Sequence, residues 1–141
     1  MIRRTVVAAL VGLLVAGCGA GSAVNDLGTV VKGAKGTTVS VELGQGKRFS
    51  LAVADNASVG DSWTLEAVPD PKVASFISKE YRSEGGGPGS GGTSYFAFNT
   101  KHAGTTEIKL YNCWRCGKAT TPTNEQSKQQ SGEAIFAITV K

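Results

Sequence analysis

Histidine occurs once in this chain, which leaves a His-dependent hydrolytic arrangement a single candidate base. Catalysis by a Ser-His-Asp or Cys-His arrangement needs a base, and His102 lies in Lys101-His102-Ala103-Gly104, which reads as an exposed turn. Cysteine is nearly as rare, at three residues. Structural zinc wants four ligands in two close pairs, and no spacing here supplies them, so neither a metal nor a cofactor is expected. A strong excess of one charge is also missing. Fifteen basic residues face 11 acidic ones, with no basic cluster interleaved with aromatics, which argues against a nucleic-acid partner. The glycine run from Gly85 to Gly92 lacks the Gly-Lys-Ser/Thr ending of a phosphate loop and leads into a strand pattern, not a helix.

What is present begins with a leader. Arg3 and Arg4 precede a short apolar run over residues 5–15, too short to span a bilayer comfortably, and small residues follow it. Val15-Ala16-Gly17-Cys18 resembles the lipobox of bacterial lipoproteins, in which the cysteine is lipidated and becomes the mature N-terminus. The other reading is an ordinary secretory signal with an incidental cysteine. On the lipobox reading, residues 1–17 are removed and Cys18 carries the lipid. Residues 18–36 then form a flexible tether, and the protein is exported and held at the bacterial cell membrane on its extracytoplasmic side. Setting Arg3 and Arg4 aside leaves a net charge of +2.

From residue 37 onward the pattern is strands and turns. Val39, Val41 and Leu43 alternate with polar residues, as do Phe49, Leu51 and Val53, then Trp63, Leu65 and Ala67. Pro69 and Pro71 impose a break. Residues 73–81 read as a short strand with room for a helical turn. Phe96 and Phe98, Ile108 and Leu110, and Phe136, Ile138 and Val140 mark three further strands, and the polar tract over residues 126–130 reads as solvated loop. With no amphipathic helix and no internal repeat, residues 37–141 predict one all-β domain, an immunoglobulin-like sandwich of about seven or eight strands.

Cys113-Trp114-Arg115-Cys116 is the one motif with redox potential. A C-x-x-C pair does redox work when it opens a helix, and Gly117 to Pro122 is no helix. In an exported chain the pair reads rather as a structural disulfide that stiffens a loop and aims Trp114, with a thiol-redox lipoprotein as the lesser reading. Trp63, in phase with Leu65 and Ala67, belongs to the core. Trp114 is either an exposed interface anchor or folded back over the end of the sandwich.

Three motifs in order then resemble the chagasin-type inhibitors of papain-like cysteine proteases. That family's first loop reads Asn-Pro-Thr-Thr-Gly, two residues and Trp; Asn56-Ala57-Ser58-Val59-Gly60-Asp61-Ser62-Trp63 keeps the register. Its Gly-x-Gly-Gly before an aromatic strand is matched by Gly89-Ser90-Gly91-Gly92 and Tyr95-Phe96. Its Arg-Pro-Trp is answered by Asn112-Cys113-Trp114 after Leu110-Tyr111. The resemblance implies a monomer that is no enzyme and that occludes a protease cleft reversibly with three loops. The expected contacts are Asn56, Ala57, Ser58, Val59 and Gly60, then Gly89, Ser90, Gly91 and Gly92, then Asn112 and Trp114. An alternative use of the same loops is to bind another envelope protein. The departures are Ala57 for proline, Ser58 and Val59 for the threonines, and Asn112-Cys113 for Arg-Pro; Gly60 is retained.

Overall fold

The computed structural model describes residues 26–87 and 89–141. Eight strands, β1 Thr29–Lys32, β2 Thr37–Leu43, β3 Arg48–Asp55, β4 Trp63–Ala67, β5 Ala74–Ser83, β6 Gly92–Thr100, β7 Gly104–Asn112 and β8 Gly132–Val140, form two four-stranded sheets. One has the order β1-β3-β6-β5 and the other β2-β8-β7-β4. Their facing residues make the core: Phe49, Leu51, Val53, Phe96 and Phe98 from the first, and Trp63, Ile108, Leu110, Phe136 and Ile138 from the second. The period of two seen in the sequence is the period of this burial, since alternate residues of a strand point to opposite faces. Phe49 and Phe98 stack across β3 and β6 at 5.2 Å.

Strand direction decides where the connections fall. β3, β5 and β7 run toward one end of the sandwich, and β4, β6 and β8 return from it. Residues 56–62, 84–87 with 89–91, and 113–131 therefore share one rim. The turns at 44–47, 68–73 and 101–103, with His102 exposed, lie at the opposite pole.

Three expectations change. The tether does not extend to residue 36, because Thr29–Lys32 pairs in parallel with β3 and buries Val31. Residues 33–36 then cross to the other sheet, where β2 runs parallel to β8. The polar tract near residue 126 is also no simple loop: Glu125–Gln130 forms one short helix, α1. Asn124 caps it by accepting from the Ser127 N–H at 2.8 Å, the role its side chain suits. The segment read over 73–81 is instead the ten-residue strand Ala74–Ser83, with a bulge between Phe76 and Ser78. Cys18 and the leader lie outside the described residues.

Candidate binding rim

The first loop is a single 3-10 turn, Ala57–Val59, capped at both ends. Asn56 Oδ1 accepts from the Ser58 N–H at 3.0 Å, and Gly60 closes the turn in the left-handed region at φ 111°. A side chain at Gly60 would also collide with Arg115, whose Cγ would lie 2.4 Å from the added Cβ. Ala57, Ser58 and Val59 are thereby pushed outward, and Val59 is 48% exposed.

The base of this loop is held by a carboxylate. Asp61 Oδ2 accepts from the Asn56 N–H at 3.0 Å while Oδ1 accepts from Asn112 Nδ2 at 2.9 Å. Asn112 Oδ1 in turn accepts from the Ser62 N–H at 2.9 Å. Asn112, expected at the interface, is 0% exposed and cannot touch a partner; it braces the first loop from beneath. Gly92 is corrected in the same way. It is the first residue of β6, buried, and its missing side chain admits the Tyr81 ring and the Arg82 carbonyl.

The other two loops are tied to the first. Asn56 Nδ2 donates to the Gly89 carbonyl at 3.1 Å, and Gly91 packs on the Asn56 side chain. From the third loop, the Arg115 N–H donates to the Gly60 carbonyl at 2.9 Å. A Cys113–Cys116 disulfide brackets Trp114 and Arg115. Arg115 stands at φ 50°, an uncommon conformation for a side-chain-bearing residue, with its guanidinium 4.5 Å over the Trp114 ring. Trp114 is half-buried. Its backbone is clamped from α1: the buried Ser127 hydroxyl donates to the Trp114 carbonyl at 2.6 Å, and the Trp114 N–H donates to Ser131 Oγ at 2.8 Å.

Sequence reasoning missed Asp61, Arg115 and Ser127 as parts of this assembly. Asp61 and Arg115 sit beside the motif residues, but their partners are distant in sequence. The only cue for Ser127 was the cap residue Asn124. Among the described residues no group of three or more His, Cys, Asp or Glu side chains is placed to hold a metal.

The sandwich thus carries three interlocked loops at one pole and the histidine of the chain at the other. The chain belongs to the chagasin family: residues 42–129 match the family described as "Chagasin family peptidase inhibitor I42". Its members are inhibitors of peptidases, not enzymes. Similar solved structures include the cysteine protease inhibitor EhICP2 from Entamoeba histolytica, with TM-score 0.57, 14% identity, and coverage of 80% of this chain and 96% of that one. Amebosin gives TM-score 0.54 at 17% identity, covering 80% of this chain and 98% of its own. PbICP-C, solved in complex with falcipain-2, gives 0.51 at 14%, covering 81% and 100%. No curated protein matches the chain.

Proposed function

We propose that this protein inhibits papain-like cysteine proteases reversibly, by seating its three-loop rim in the active-site cleft. The observation that carries the reading is the cross-bracing itself. Asn56 joins the first loop to the second, and Arg115 joins it to the third, so the rim is ordered before any partner arrives. Preorganisation lowers the ordering cost of association, which compensates for the missing loop proline. Val59 and Ser58 at the tip would enter the cleft. Trp114 and the outer residues Gly89, Ser90 and Gly91 would meet its walls. The inhibitor supplies no chemistry; it excludes substrate.

We also propose that Cys18 carries a lipid anchor. The chain enters the described fold at residues 26–28, beside Arg48 and so at the pole opposite the rim. A membrane attachment there leaves the loops pointing away from the bilayer.

Titration of papain with the protein tests the inhibitor reading. Tight, substrate-competitive loss of activity is expected, and undiminished activity at micromolar inhibitor overturns it. Trp114→Ala should weaken inhibition by about 1 kcal/mol or more, the usual cost of truncating an aromatic anchor.

A further inference from the structure

A cavity of about 590 Å³ opens between the first and second loops, over the end of the core. Its floor is unexpected. Along β3, Phe49, Leu51 and Val53 face the interior, and the next residue in that phase is Asp55, only 8% exposed. Placing a carboxylate at a core-facing position is costly unless its oxygens find partners. One does: Oδ2 accepts from the Ser94 hydroxyl at 2.6 Å. The other takes no protein donor among the described residues and is open to solvent at the cavity, since the buried side-chain oxygen without a partner among them is Ser78 Oγ. None of the three ion pairs found among them involves Asp55.

The neighbouring charges do not bond to Asp55. Asp61 also lines the cavity, but both its oxygens are taken by Asn56 and Asn112. Lys79 lines it too, yet its ammonium donates to the Trp63 carbonyl at 2.6 Å and lies 5.4 Å from the centre of the Phe96 ring. Two carboxylates against one engaged ammonium leave the lining net negative. Trp63 and Tyr81 supply aromatic wall, which suits an aliphatic stem and attracts a cation.

From this geometry we propose that the cavity binds a primary ammonium or guanidinium group on a slender aliphatic stem, with Asp55 as its counter-charge. The shared chemistry has two sources: a lysine or arginine side chain of a bound protease, or a free amine. The site itself does not rest on protease inhibition.

An NMR titration of the full chain with n-butylammonium, with butan-1-ol as the uncharged control, reads the site directly. Saturable shifts of the Trp63 indole N–H and the Ser94 amide are expected. Binding should weaken by at least about tenfold for butan-1-ol and for Asp55→Asn, a near-isosteric change that keeps an acceptor for Ser94. Equal affinity of wild type and Asp55→Asn, or absence of saturable shifts up to about 50 mM, beyond which so small a ligand is not specific, overturns the free-amine arm. Papain inhibition by Asp55→Asn and Ser94→Ala forms the second arm. Weakening by Asp55→Asn alone assigns the cation to the protease. Equal weakening by both variants makes Asp55 a loop brace and counts against the proposal. Unchanged inhibition together with no amine binding ends it.

Discussion

Asn112 shows how a residue can control a binding surface it never reaches. Its amide accepts from Ser62 and donates to Asp61, and Asp61 in turn holds the Asn56 N–H, so the first loop is fixed through two side chains. Asn112→Ala leaves the Ser62 N–H and an Asp61 carboxylate oxygen, both at part-buried bonds, without these partners and opens a void where Asn112 was buried. A loss of about 2 kcal/mol or more is expected in urea unfolding, since each orphaned group costs about 1–3 kcal/mol. Amide exchange at Asn56 and Ser62 should quicken by more than the global loss alone implies. Uniform quickening across both sheets would contradict a bracing role. The sequence made the type of this residue visible but not its direction. Its motif position suggested contact, whereas β7 alternation, with Ile108 and Leu110 buried, already put Asn112 in the inward phase. Gly60 was legible because the left-handed turn it makes is local, while Asp61 was not because its second partner lies 51 residues away.

Among the elements, strands with clear alternation were legible, down to the five residues of β4. The ten-residue β5, whose alternation is weak, was not, nor were the short β1 and α1, held by tertiary contacts. β8 carries its apolar period through Ala134, Phe136, Ile138 and Val140, while β6 and β7 show it at Phe96 and Phe98 and at Ile108 and Leu110. β1 has four residues and α1 six, too few for a period to show, and α1 exists to set Ser127 beneath Trp114. β4 and its neighbours offer a pH test. At the β4 bulge, Glu66 has its carboxyl pKa raised, first by desolvation, then by a hydrogen bond with Glu133 and that group's charge, with Lys109 opposing. The folded protein thus holds this proton more tightly than the unfolded chain. The resulting stabilisation is complete below the ordinary glutamate range and is lost as pH rises through the raised folded value. Glu66→Gln keeps a permanent donor toward Glu133 without the charge. Its urea midpoint should exceed that of wild type at neutral pH, with the gap closing as the pH falls through the carboxylate range. A gap of the same size across that range would remove the Glu66–Glu133 contact from the account.

At the scale of the molecule, the two parallel pairings make the N-terminal segment structural. β1 climbs beside β3, residues 33–36 cross at the rim, and β2 descends beside β8, so one short stretch is joined to both sheets. Its ties are specific: Val31 is buried, the Ser50 hydroxyl donates to the Leu27 carbonyl, and the Gly33 and Gly36 N–H groups donate to Ala52 and Glu133. Lys35 reaches the end of α1, donating to the Gln130 carbonyl at 2.7 Å. A chain beginning at residue 37 therefore loses an edge strand and a support of the third loop together. Burying one valine is worth about 1.5–3 kcal/mol and each hydrogen bond about 1 kcal/mol, so a loss of about 3–5 kcal/mol is expected against a chain beginning at residue 26. Because Lys35 supports the loop that presents Trp114, the shorter chain should also bind papain more weakly at temperatures where both remain folded. Equal urea midpoints for the two chains would show that β1 merely rests on the sandwich. A lower midpoint with unchanged inhibition would separate the rim from the N-terminal crossing, and would place the third loop's support wholly in α1 and the disulfide.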